Sequence, residues 1–220
     1  MPRDLAHVSL AFGSGAEIAA ALPSAVQHLL TDRVIAYPTE TVYGLGGRVT
    51  PAALASLRRV KGRAAGKAFV VLVAGRKMAE EWGIEFPGSA PRLADKWWPG
   101  PLTLVLPAPS GRFPQELRGP AGGVAIRQSP HAGARALVEA LNEPLTSTSA
   151  NRPGGVPAQD ARAIGSTFAA AVAAADLLVL DGGTLPPSLP STVVEFRGDE
   201  ASLVREGAIA WHDVRRTLRK

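Results

Sequence analysis

Apolar residues along the chain gather in short clusters separated by polar stretches rich in glycine and proline. From Ala16 to Thr31 they recur at helical spacing, and Pro23 is expected to divide this helix or restart it as a first-turn residue. Val34 to Tyr37 is a continuous apolar run of strand length. Thr50 followed by Pro51 is a helix start, with Thr50 as N-cap, and Leu54, Leu57 and Val60 carry the periodicity to Lys61. Further strands are predicted at Phe69 to Val73, Leu102 to Leu106, Val124 to Ile126, Leu145 to Thr148, Leu177 to Leu180, Val193 to Phe196 and Leu203 to Val204. Helices are predicted near Lys77 to Trp82, Arg92 to Trp97, His131 to Leu141, Ala158 to Ala175 and Trp211 to Leu218. Alternation of this kind predicts an α/β protein whose twisted sheet is flanked by helices.

At 220 residues, with neither a repeat nor a long linker, the chain is expected to form a single domain over 1–220. No apolar run approaches the ~20 residues of a membrane span, and the first residues lack the apolar core of a secretory signal, so a soluble, cytoplasmic protein is expected. The chain has no cysteine, which excludes disulfide and thiolate chemistry, and its four histidines show no metal-ligand spacing. No dedicated protein metal site is expected. The formal net charge of +5 suits anionic partners such as nucleotides or RNA.

Chemistry concentrates in a few segments. Pro38 to Gly46 (PTETVYGLG) follows a strand, carries the hydroxyls of Thr39, Thr41 and Tyr43, and then becomes glycine-rich; it reads as a ligand-facing loop or as a strand end with a turn. Lys61, Arg63 and Lys67 cluster at a helix exit. Together they can neutralise a polyphosphate; alone they read as a solvated basic face. Arg127 ends an apolar strand, where a guanidinium suits capture of a carboxylate. His131 reads as a helix-terminus residue, with no partner acid to make it a base. In Leu145 to Asn151, alternate residues of a strand face alike, so Ser147, Ser149 and Asn151 can present polar groups to one ligand. Neither a G-x-S-x-G elbow nor a Ser-His-Asp arrangement supports a nucleophilic serine.

The ordered set PTETVYGLG, KGR with a following lysine, WPGPLTLVLPA, VAIRQSPH, TSTSANRPGG, DGG, STVVEF and VREGAI resembles the successive signatures of the YrdC-like family over roughly residues 34–210. The resemblance implies an open, twisted α/β sheet with flanking helices and a large positively charged concavity. It implies L-threonine binding by Thr41, Arg127, Ser147 and Ser191, and an ATP or adenylate site at Lys61, Arg63, Lys67, Gly123, Ser149, Asn151, Pro157 and Arg205. Lys61 and Arg63 would stabilise charge, and no residue is assigned as general acid or base. The implied activity is L-threonylcarbamoyladenylate synthesis, a nucleotidyl transfer from L-threonine, bicarbonate and ATP with Mg2+ on the nucleotide, serving tRNA modification. Contact with tRNA or with a downstream threonylcarbamoyl-transferase would accompany it.

Two departures stand out. Ala64 replaces the family's proline after K-x-R, and Leu72 occupies a position where many members place a threonine-contacting histidine. The chain is also expected to lack the extra C-terminal domain of longer relatives. The alternative readings are a paralogue of the same fold acting on another carbamoyl-adenylate, and a non-catalytic RNA-binding module. The second needs positive charge but not the hydroxyl set of Thr41, Ser147 and Ser191.

Overall fold

The computed structural model describes residues 9–62, 69–109 and 111–219. In chain order its elements are β1 (Ser9–Ala11), α1 (Gly15–Leu30), β2 (Val34–Tyr37), β3 (Gly44–Gly46), α2 (Pro51–Lys61), β4 (Val70–Leu72), α3 (Arg76–Glu81), α4 (Ala90–Trp97), β5 (Leu102–Leu106) and β6 (Val124–Arg127). They continue with α5 (Ala132–Leu141), β7 (Leu145–Ser149), α6 (Ala161–Thr167), α7 (Ala169–Ala173), β8 (Leu177–Asp181), β9 (Thr192–Arg197), β10 (Glu200–Arg205) and α8 (Trp211–Leu218). Ten strands form one mixed sheet in the order β1-β8-β2-β3-β7-β4-β6-β5-β9-β10. Helices cover both faces. α1 and α5 bury Ala25, Leu29, Leu137 and Leu141 with Phe12, Tyr37 and Leu72 on one side. On the other, α2, α4, α6 and α8 pack Leu57, Leu93, Ile164 and Val214 against Leu45, Leu104 and Val194. The mixed α/β sheet with flanking helices is the expected fold class.

Local chemistry explains most boundaries. Thr50 caps α2 through its hydroxyl, which accepts from the Ala53 amide at 3.1 Å, and Pro51 fills the first turn, where its missing N–H costs nothing. α2 stops at Gly62, whose φ of 67° is the left-handed conformation glycine adopts without strain. His131 caps α5: its Nδ1 accepts from the Gly133 and Ala134 amides at 3.2 and 3.4 Å. That is the terminus role expected of it.

Four expectations need correction. Pro23 neither divides nor restarts α1, which runs unbroken from Gly15 to Leu30. Pro23 and Ala19 both lie on the exposed face, so the carbonyl that loses its partner meets water. The helix expected over Ala158 to Ala175 is two helices. It begins only after Asp160, whose carboxylate caps α6, and it breaks at Phe168, where φ −120° and ψ 28° leave the helical region while the ring is fully buried under the Arg152 guanidinium. Gly44 to Gly46 is a strand, antiparallel to both β2 and β7. A Cβ on Gly46 would stand 2.1 Å from the Thr146 carbonyl oxygen, so glycine at this position is what lets β3 close on β7. Finally, β1 was not anticipated, and β10 is longer than the two residues expected, because its exposed strand carries little hydrophobic alternation.

Candidate functional site

A cavity of about 620 Å³ opens where the middle of the sheet meets three loops. Its walls bring together Thr41, Arg127, Ser147 and Ser191 with Ser149, Pro157 and Arg205, seven of the residues singled out in the sequence. β7 supplies the serines from the centre of the sheet, between β3 and β4. Arg127 ends β6, in register with Leu72 of the parallel strand β4, and Leu72 forms part of the apolar wall.

Each polar wall is held from behind. In the loop after β2, the Thr39 hydroxyl donates to the Val42 carbonyl at 2.6 Å and accepts from the Thr41 and Val42 amides at 3.2 Å, which fixes Thr41 at the rim. The Thr41 carbonyl accepts from the Ser188 hydroxyl. Tyr43 turns away from the cavity to the DGG segment, where its hydroxyl donates to the Gly183 carbonyl at 2.7 Å and accepts from the Gly182 amide at 2.9 Å. Buried Ser191 shares a 2.8 Å hydroxyl contact with Thr103, and Arg205 donates to the Ser191 carbonyl from Nη2 at 2.8 Å and Nε at 3.2 Å. A guanidinium thus stands directly beside a serine hydroxyl. Partial burial lowers the pKa of Arg205.

Arg127 is only 7% exposed. Burial first, and the neighbouring Arg205 charge third after an opposing contribution from Tyr37, pull its guanidinium down to about 10, so it stays protonated at neutral pH. Its Nη2 is charge-paired with Glu40 Oε1 without forming a hydrogen bond of ordinary geometry, and its enclosed Nε has no hydrogen-bond partner among the described residues. A buried donor of this kind costs stability unless something fills it, and a bound carboxylate would.

The remaining expected residues are placed differently. Lys61 is 4% exposed, and its Nζ donates to the Ser149 carbonyl and to Asn151 Oδ1, which also accepts from the Ser149 hydroxyl at 2.6 Å. Asn151 Nδ2 donates to the carbonyls of Arg152 and Gly155 at 2.9 and 2.6 Å. Lys61 and Asn151 therefore shape the turn that carries Ser149 and reach the cavity from behind it. Gly123 lies at the opposite end of β6 from Arg127, a strand length of about 13 Å, and lines another recess with Arg118 and Glu195. Arg63 and Lys67 lie outside the described residues, as does Ala64. The sequence reading passed over Glu40, Ser129, Thr103 and Ser188. Glu40 sits inside the PTETVYGLG segment and was legible as its one acid, whereas the other three acquire their roles only through contacts distant in sequence. Among the described residues no group of three or more His, Cys, Asp or Glu could hold a metal ion, and no helix is long and apolar enough to cross a membrane.

The chain is similar to known proteins over most of its length. A threonylcarbamoyl-AMP synthase of Thiobacillus denitrificans is 40% identical over 178 residues, covering 80% of this chain and 91% of that protein. A protein of the same name from Pyrococcus abyssi is 31% identical over 187 residues; there the match takes in 84% of this chain but only 54% of the relative, so the chain spans about half of that longer protein. The crystal structure of P. abyssi Sua5 complexed with L-threonine superposes with a TM-score of 0.82 at 28% identity, over 96% of this chain and 60% of that one. The profile of the Sua5/YciO/YrdC family, described as "Telomere recombination", matches residues 27–207, and the chain belongs to that family.

Proposed function

We propose that this protein is an L-threonylcarbamoyladenylate synthase, forming threonylcarbamoyl-AMP and pyrophosphate from L-threonine, bicarbonate and ATP in the cytoplasm for tRNA modification. The observation that carries the reading is the meeting of Arg127, with its unfilled Nε, and the hydroxyls of Thr41, Ser147 and Ser191 in one cavity with Ser149 and Arg205. An amino acid with a side-chain hydroxyl needs a cation for its carboxylate and hydroxyl partners for the rest; a nucleotide phosphate needs a second cation nearby.

In this reading bicarbonate supplies carbon dioxide, the threonine amine takes it up with loss of a proton, and the carbamate oxygen attacks the α-phosphate. A P–O bond forms there as the bond to the departing pyrophosphate breaks. The chain contributes orientation and charge. Arg127 holds the carboxylate, Ser147 and Ser191 fix the amino acid, and Arg205 faces the phosphate from its anchor on Ser191. Lys61 adds positive charge behind the Ser149 turn, and the family resemblance assigns Arg63 and Lys67 to the nucleotide. Magnesium would arrive on the triphosphate and offset its charge; the described donors of the cavity are hydroxyls and guanidinia, which suit an ion already held by phosphate oxygens. The product passes to a threonylcarbamoyl-transferase acting on tRNA. Pyrophosphate release from ATP should require both L-threonine and bicarbonate, and equal release without threonine would reject this substrate set.

A further inference from the structure

Arg127 faces a difficulty that its own role does not solve. The cavity must take both an amino-acid carboxylate and a triphosphate, and two arginines open onto it. A bare buried guanidinium binds phosphate at least as readily as carboxylate. The amino-acid end would then be blocked by the more highly charged ligand.

Behind Arg127 stands Glu40, which no step of the proposed reaction uses. Oε1 pairs with Arg127 Nη2, and Oε2 accepts a 2.6 Å hydrogen bond from the Ser129 hydroxyl. Ser129 is 3% exposed, and its oxygen accepts in turn from the His131 amide at 3.2 Å, at the capped start of α5. The carboxylate is therefore fixed by an element end and cannot swing to meet an incoming ligand. Its charge offsets that of Arg127 without occupying Nε. Such a fixed pair complements a zwitterion, whose ammonium gains from Glu40 what its carboxylate loses, and it repels a polyanion, which gains nothing in return.

Resting on the amino-acid subsite proposed above, we infer that Glu40 is a specificity-determining residue: anchored by Ser129, it reserves Arg127 for the carboxylate of a zwitterionic amino acid and keeps phosphate out of that end of the cavity.

The test separates charge from shape. Glu40→Gln keeps an acceptor toward Arg127 and a partner for Ser129 but removes the charge. With the nucleotide subsite filled by a nonhydrolysable ATP analogue, inorganic phosphate is titrated calorimetrically into wild type, Glu40→Gln and Glu40→Gln/Arg127→Ala. Phosphate should bind Glu40→Gln about tenfold more tightly than wild type, and the gain should vanish in the double variant. It should also raise the apparent Kd for L-threonine in Glu40→Gln while leaving that of wild type within about twofold. Equal phosphate affinity in wild type and Glu40→Gln overturns the inference, as does a gain that survives loss of Arg127. Binding of the ATP analogue reports folding in each variant; if Glu40→Gln fails it, Glu40→Ala, which likewise removes the charge, takes its place with the same expected direction. Should wild type bind no threonine, the proposed activity falls, and the phosphate comparison still decides the role of Glu40.

Discussion

Replacing Asn151 by alanine removes the centre of the turn that carries Ser149. Oδ1 accepts from the buried ammonium of Lys61 at 2.7 Å and from the Ser149 hydroxyl at 2.6 Å, while the two bonds from Nδ2 lie where water can replace them. Only the first two should count. A hydrogen bond to a charged group contributes about 1.5–3 kcal/mol and a neutral one about 1, so Asn151→Ala should cost about 3 kcal/mol in urea unfolding. Lys61→Met removes the buried charge while keeping its length, and should cost less because nothing charged is left without its acceptor. The double variant should show a coupling of at least about 1.5 kcal/mol between the two positions. Nucleotide-analogue affinity should fall in both single variants, since Ser149 loses its orientation. A cost for Asn151→Ala below about 1 kcal/mol, additive with that of Lys61→Met, would refute the view that this pair holds the turn.

Two further outcomes follow from single residues. Leu72 lines the cavity but cannot hydrogen-bond a substrate hydroxyl, so discrimination of threonine from serine should be weaker than in relatives with histidine there; Leu72→His should change the threonine-to-serine ratio of kcat/KM, and an unchanged ratio disproves the assignment. His131 must be unprotonated at Nδ1 to cap α5, and burial holds its pKa below the ordinary 6.5. The unfolded chain therefore takes up its proton first as pH falls, so this contribution to stability is complete above 6.5 and is lost as pH drops from there through the folded value. His131→Asn, which keeps a capping oxygen but does not titrate, should flatten that part of the Tm–pH curve. An identical slope assigns the loss elsewhere, for example to His28, whose pKa burial also lowers.

The sequence displayed the caps at Thr50 and His131, most of the strands and most cavity residues because each rests on short-range chemistry. Thr50-Pro51, the alternation of Ser147 and Ser149, and an arginine closing an apolar strand are all patterns a few residues long. What stayed hidden depends on neighbours remote in the chain. Gly44 to Gly46 has the composition of a loop and becomes a strand because β2 and β7 supply hydrogen bonds on both edges and Gly46 has no side chain to keep β7 away. Lys61 has the look of a solvated cation until Ser149 and Asn151, almost ninety residues on, turn it inward. Pro23 misled because helix interruption was judged from residue type, whereas the outcome turns on whether the orphaned carbonyl of Ala19 faces water. The charge of the cavity is likewise only partly visible from pattern: Arg127 reads as a cation suited to a carboxylate in the sequence, and its offset by Glu40 requires the loop after β2 to meet the end of β6 and the start of α5, with three strands between β2 and β6 in the sheet.

The register of β7 is the point on which the proposed chemistry depends. A slip of one residue would turn Ser147 and Ser149 to the other face of the sheet and present their neighbours instead. Hydrophobic alternation cannot prevent this slip, because Leu145 is the only large apolar residue in the strand. Thr146 can. Fully buried, its hydroxyl donates to the Gly47 carbonyl at 2.7 Å and accepts from the Gly47 amide at 2.9 Å, closing a ring with the chain just beyond β3. A Thr146 amide bond to the same carbonyl, 2.9 Å long, adds a backbone constraint. Any slip would leave these buried groups without partners, at a cost of about 1–3 kcal/mol each. The hydroxyls of TSTS therefore divide their work: Thr146 fixes the strand, and Ser147 and Ser149 face the cavity because it does. A run of similar small polar residues is in this way given two distinct functions by the bare backbone of Gly46 and Gly47 opposite.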